Sequence, residues 1–258
     1  MTDARGWNIY YFKSVTSTMD VAMHVAQRGA SDRTVVISSE QTAGRGRGGR
    51  DWSSPPGRAL YCTMLLRPRV DPNRLSTLPL LAGVAVAETI EALTGVAAQL
   101  KWPNDVWIGT DAQRRKIAGI LMTSHVQGGV AEFVLVGIGI NVAGDREILP
   151  PGGTTILAAT GVALDVDAVF NCLLSRFDLA YDHFLDVTGR PSLDGWRARA
   201  ALLGEPVAIT DAGRAVRGVF VGIDEDGALL LDEPGSGVRR VLAGDLIRGP
   251  RPAPQLRS

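Results

Sequence analysis

Three short stretches carry residue types suited to handling an anion. The first, QTAGRGRGGRDW over 41–52, places Arg45, Arg47 and Arg50 among four glycines, Gly44 and Gly46 included. Glycines let backbone N–H groups come close to an oxyanion, and guanidinium groups add forked, permanent positive charge that fits phosphate or carboxylate. The stretch contains no GKS or GKT and no helix is expected directly after it, so it matches neither common phosphate-binding motif. Three readings stay open: a disordered RGG-type tail, a solvated loop, or an anion cradle that is mobile when empty and orders over its ligand. Its place between two predicted strands weighs against the tail.

The second stretch is KWPND over 101–105, followed by Lys116. Lys101, Asn104 and Asp105 suit a turn as well as a site, and Lys116 is either the end of a solvated basic turn or a cation leaning over a sheet end. The third is GIGIN over 137–141. Gly137 and Gly139 weaken a strand unless something approaches its backbone closely, and Asn141 then stands at the strand end as donor and acceptor. A bulged core strand is the plainer reading. His24, His125 and His183 are far apart in sequence, and no metal-ligand spacing or GxSxG stands out, so neither a metal centre nor acyl-enzyme chemistry is suggested.

The elements that must hold these residues are legible from periodicity and breakers. Strands are predicted over 7–12, 34–40, 58–67, 116–124 and 132–142, with 100–108 extended because Pro103 disfavours a helical Trp102. Pro55, Pro56 and Gly57 form the turn before the third. Helices are predicted over 16–29, with Thr16 or Ser17 as cap and Gly29 as stop, over 74–95 ending at Gly95, and over 165–187. After 191–204 the pattern changes to short alternating strands (PVAIT, AVRGVFVGI, GALLLD, VRRVLAG) with turn signals about every ten residues, the mark of a small all-β barrel. The division falls near Leu203, giving domains 1–203 and 204–258, with a frayed tail from 249.

Composition sets the outer limits. The 258 residues hold 27 Lys+Arg and 27 Asp+Glu, so no overall basic field exists to attract nucleic acid. Cys62 and Cys172 sit in apolar runs and read as buried free thiols in a reducing compartment. The N-terminus lacks an apolar signal core, and the longest apolar segment, 78–90, contains Glu88 and is short for a membrane span. A cytoplasmic location without membrane attachment is expected.

In this order, TSTMDVA, QTAGRGRGGRDW, KWPND, KIAGIL, GIGIN and a terminal small β-barrel resemble the biotin protein ligases over roughly residues 8–248. GRGRxGRxW is the specific element. The resemblance implies an α+β, class II synthetase-like catalytic domain with a mixed sheet, followed by an SH3-like barrel. It implies an ATP-dependent ligase that forms biotinyl-5′-AMP and transfers biotin to a lysine of a biotin carboxyl carrier protein, as in acetyl-CoA carboxylase. ATP and biotin are then substrates, with Mg²⁺ accompanying ATP.

By the same resemblance, Ser17, Thr18 and Gln41 line the biotin pocket. Arg45 to Arg47, with Arg50 beside them, meet biotin and phosphates, and Lys116 bridges carboxylate and phosphoryl oxygens. Gly44 and Gly46 belong to the cradle, and Gly119 allows close passage. Trp52, Asn104 and Asn141 serve the nucleotide. Asp105 orients or deprotonates the carrier lysine. The family reads S-T-N where this chain has Ser17-Thr18-Met19, so Met19 brings no polar group to that place, and its ATSL appears only as TTIL over 154–157. Some members carry an N-terminal DNA-reading domain; the first catalytic strand begins near Trp7 here, so no DNA binding is expected. A homodimer is possible. The alternatives are a lipoate–protein ligase and a non-catalytic biotin-binding module.

Overall fold

The structure, a computed structural model, describes residues 2–3, 5–52, 57–144, 149–186, 192–211 and 214–248. Pro55 and Pro56, and the tail from 249, lie outside them. A seven-stranded mixed sheet has the order β1-β2-β3-β7-β6-β5-β4. Its strands are β1 (Asn8–Phe12), β2 (Thr34–Ser38), β3 (Ala59–Leu66), β4 (Ala98–Lys101), β5 (Asp105–Ile108), β6 (Arg115–Gln127) and β7 (Val130–Asn141). β1 runs parallel to β2, and every other pairing in this sheet is antiparallel.

The sheet is covered on both faces, which explains its long apolar runs. Successive side chains on a strand point to opposite faces. Val35, Ile37, Leu60, Met64 and Leu66 therefore meet helices α2 (Leu78–Thr94) and α4 (Val166–Asp186) in the main core. Val36, Leu65, Phe133 and Leu135 face the other way, against Ala22 and Ala26 of α1 (Thr18–Gln27). Ser17 caps α1 by accepting from Met19 N–H, and Gly29 follows its end at a φ of +86°. Residues 72–94 are long and apolar enough to span a membrane by composition, but α2 packs on the sheet and α4 instead. Two short helices follow, α3 (Ile156–Thr160) and α5 (Asp194–Arg197).

Three sequence expectations change in this part of the chain. The extended segment 100–108 is a hairpin: β4 stops at Lys101, the chain turns at 102–104, and β5 begins at Asp105, with a cis Trp102–Pro103 peptide. The helix expected over 74–95 begins with a 3₁₀ turn, Pro72–Thr77, before α2. Cys62 is buried as expected, but Cys172 is only partly so.

The C-terminal strands are β8 (Pro206–Asp211), β9 (Arg214–Ile223), β10 (Leu229–Glu233), β11 (Gly237–Val241) and β12 (Leu246–Arg248). They form an antiparallel sheet ordered β11-β10-β9-β8-β12, and among the described residues no pairing closes it into a barrel. It is joined to the turn at 102–104 and to α2, among other places. Trp102 donates its indole N–H to the Gly227 carbonyl at 2.9 Å, and Leu80 packs where a Gly227 Cβ would stand.

A fork of charge closes the edge of α2. Arg199 donates Nη2 to Glu91 Oε2 at 2.7 Å and Nε to Oε1 at 3.0 Å. Burial alone would raise the Glu91 carboxyl, but the Arg199 hydrogen bonds, the Ala98 N–H and the Arg199 charge hold it below its ordinary value of 4.5. A depressed carboxylate stabilises the fold above that value and loses its contribution as pH falls through the lowered one. Glu91→Gln is expected to cost about 1 kcal/mol at pH 7. In urea titrations at stepwise lower pH, the gap from the parent protein should shrink below 4.5.

Candidate active site

On the α1 face, β7 places Phe133, Leu135, Gly137, Gly139 and Asn141 in one row by its two-residue period. Phe133 and Leu135 pack under α1. Beyond them the side chains vanish. Gly139 pairs with Gly119 on β6, so the sheet has a smooth floor there, edged by Leu121, the partner of Gly137. A cavity of about 490 Å³ opens over it.

The Gly/Arg stretch folds into a tight loop over this floor. Thr42 and Ala43 N–H groups bond to the Val15 and Thr16 carbonyls, and Trp52 N–H returns to Gly44 O at 3.0 Å. Gly48 and Gly49 make the reversal at φ of +69° and +74°. The loop drops the Trp52 ring onto the glycines. A Cβ on Gly139 would sit 2.6 Å from Trp52 Cε2, and one on Gly119 would sit 2.9 Å from Cζ3. Met19 Sδ lies 2.9 Å from where a Gly137 Cβ would be. Met19 thus fills an apolar place on the floor, whatever polar contact it forgoes.

One wall is a polar relay. Gln41 Oε1 accepts from Thr18 N–H at 2.9 Å and from Thr18 Oγ1 at 3.1 Å, while Thr63 donates to Thr18 Oγ1 at 2.9 Å. The opposite side is cationic. Lys116 Nζ lies 2.6 Å from Asp105 Oδ1 and 5.3 Å from the Trp52 ring centroid. Lys101 Nζ stands 4.0 Å from Asp105 Oδ2. Burial lowers the Lys101 ammonium below its usual value, against the pull of Asp105 and Asp245. Arg45 pairs with Asp20 of α1, and Arg47 and Arg50 both pair with Asp245.

Of the residues singled out in the sequence, Ser17, Thr18, Met19, Gln41, Arg45, Gly46, Arg47, Arg50, Trp52, Asn104, Asp105, Lys116, Gly119 and Asn141 line this one cavity. Gly44 does not line it; its carbonyl receives Trp52 N–H. Asn104 and Asn141 brace the walls, donating Nδ2 to Ile120 O at 2.9 Å and to Thr154 O at 3.1 Å. Gly137 and Gly139, where a close approach to the backbone was expected, line it too, and so do Trp107, Arg114 and the segment 149–153, which carried no site reading in the sequence. Trp107 alternates with Asp105 on β5 but reads as plain core until its pairing with Lys116 is seen. The PPGG sequence of 150–153 signals a turn but not its destination; Lys116 N–H bonds Gly152 O at 2.8 Å and fixes it there. Cys62 also lines the cavity, but burial pushes its thiol up to about 12, so it is protonated at neutral pH and a poor nucleophile.

A deep cavity with donors and cations at one end and a polar relay at the other suits an elongated acid brought against a phosphate. Comparison with known proteins decides the family. Residues 11–141 match the biotin/lipoate A/B protein ligase family, and residues 202–249 match the biotin protein ligase C terminal domain. The chain belongs to the biotin/lipoate A/B protein ligase family. Within it, the chain is 37% identical over 214 residues to the biotin–[acetyl-CoA-carboxylase] ligase of Paracoccus denitrificans, covering 80% of this chain and 87% of that protein. It is 31% identical over 252 residues to the bifunctional ligase/repressor BirA of Bacillus spizizenii, covering 96% of this chain and 76% of the relative. The biotin protein ligase of Aquifex aeolicus, solved with biotin and ATP, superposes with a TM-score of 0.77 at 30% identity, covering 94% of this chain and 99% of that one.

In this ligase family member, the floor predicts its own test. Gly139→Ala places a methyl inside the Trp52 ring position, so the ring must lift from the sheet. The variant is expected to shift tryptophan emission relative to the parent protein. The same substitution made in Trp52→Phe should shift nothing, which spectra of the four proteins will check.

Proposed function

We propose that the protein is a biotin–[biotin carboxyl carrier protein] ligase. It joins biotin and ATP as biotinyl-5′-AMP and passes the biotinyl group to one lysine of the carrier, as in acetyl-CoA carboxylase. The observation that carries this reading is the convergence of Arg45, Arg47 and Lys116 on the cavity that also holds Ser17, Thr18 and Gln41. A volume of about 490 Å³ is of the size that small ligands fill.

In the first step a biotin carboxylate oxygen attacks the α-phosphorus, and pyrophosphate leaves. Two anions must approach, and Lys116, Arg45 and Arg47 supply the opposing charge in a site screened from water. Ser17, Thr18 and Gln41 hold the ureido end, and Met19 walls it. Gly46 and Gly119 give the ligand room, with Arg50 beside the phosphates. Trp52, Asn104 and Asn141 serve the nucleotide. Mg²⁺ arrives as Mg–ATP, held mainly by phosphate oxygens and water, as this strongly hydrated ion prefers.

In the second step the carrier lysine amine attacks the acyl carbon, and AMP leaves. The amine must lose a proton, and Asp105 is the carboxylate at hand. In the ligand-free site that carboxylate is held by Lys116. When Lys116 turns to the phosphoryl oxygens, Asp105 becomes able to accept. No enzyme nucleophile is needed. We further assign 1–203 as the catalytic and 204–258 as the C-terminal domain, and a cytoplasmic site of action. The balance of 27 basic and 27 acidic residues supports action without DNA binding.

The test mixes the protein with Mg–ATP, a biotin carrier domain, and biotin or lipoate, and weighs the carrier by mass spectrometry. An ATP-dependent gain of one biotinyl group supports the ligase. A gain only with lipoate, or tight biotin binding without turnover, overturns it. Lys116→Ala is expected to lower adenylate formation about 100-fold or more, with the melting temperature unchanged. Pyrophosphate exchange measures it.

A further inference from the structure

Two of the loop arginines are held from outside the matched catalytic region. Arg47 Nη1 donates to Asp245 Oδ1 at 2.6 Å and to the Gly244 carbonyl at 2.7 Å. Arg50 Nη2 lies 3.0 Å from the other oxygen, Asp245 Oδ2, and Arg50 Nε donates to Arg47 O at 3.0 Å. One carboxylate thus spans two arginines that sit three residues apart across a glycine reversal.

The carboxylate stands on a braced support. Gly244 has a φ of +147°, and a Cβ there would lie 2.6 Å from Thr210 O, so the backbone is pressed against β8. Val241 and Leu246 on either side are buried in the core. Asp245 also adds its field to that of Asp105 at Lys101. A glycine-rich loop carrying three cations has much freedom to lose on closing over a ligand, and a fixed carboxylate on two of them removes part of that freedom beforehand.

We infer that Asp245 is a positioning residue for this ligase: by gripping Arg47 and Arg50 it holds the Gly/Arg loop over the cavity and so slows escape of the adenylate. The inference rests on the reading of Arg47 as a phosphate-side group. Asp245 itself touches no reacting atom; it acts through the arginines.

Two measurements on the full chain test it. Tryptic cleavage after Arg45, Arg47 or Arg50 reports loop freedom without any ligand. Dissociation of biotinyl-5′-AMP, preformed from biotin and Mg–ATP, reports retention. Asp245→Ala is expected to be cut in the loop several-fold faster and to release the adenylate three- to tenfold faster, with an unchanged melting temperature. Asp245→Glu should recover most of both, and Asp245→Asn, which keeps one acceptor oxygen but loses the charge, should fall between. Parent-like cleavage and release in Asp245→Ala overturn the inference, as does faster cleavage with unchanged release. Slower release also overturns it, since the carboxylate would then be a competitor for the arginines. If the parent protein makes no adenylate, the ligase reading fails by itself, and parent-like tryptic cleavage of Asp245→Ala would still overturn the grip.

Discussion

The site exists because a doubly covered sheet runs out of side chains at one place. Every strand must present apolar residues to both faces where helices cover it, and β7 does so as far as Leu135. Then Gly137, Gly139 and their neighbour Gly119 leave the α1 face bare. A bare backbone patch beside a packed helix is a hollow, and its dimensions are set by main-chain atoms that do not change rotamer. Trp52 and Met19 lie in that hollow as movable apolar contents. The hydrophobic residues that would normally finish the core are thus replaced by two side chains from neighbouring segments.

Charge in the hollow is balanced by proximity. Arg45 has Asp20, Arg47 and Arg50 share Asp245, and Lys116 has Asp105, with Lys101 close by. Like charges repel, so cations left unpaired around one cavity would push one another apart and loosen the walls. The carboxylates come from α1, β5 and the segment before β12; the first and last reach the loop arginines, and the one on β5 reaches Lys116 of β6. The cationic side chains are held in place, ready for a ligand that brings its own negative charge.

Much of this was legible in the sequence. The Gly/Arg stretch, Lys116 and the GIGIN strand each announce an unusual local demand, and residues of all three line one cavity. The helix cap was narrowed to Thr16 or Ser17, and Ser17 is the one that fills it. What was not legible depends on long-range geometry. The turn at 102–104 reads as an extended segment because each residue in it tolerates one. Trp107 and Arg114 resemble core and solvated turn until the register against β6 is known. Asp245 has no motif around it; only the placement of the second sheet brings it to Arg47.

The contact between Trp102 and Gly227, with Leu80 beside it, has a consequence for how the chain comes apart. Phe220, Leu229 and Leu231 of the C-terminal strands belong to the same apolar cluster as α2 and the central sheet. Two sheets that share one interior have no internal plane along which to separate cheaply. The C-terminal unit is therefore less an appended module than a keystone: taking it away uncovers Trp102 and Leu80, and melting should proceed as a single cooperative event.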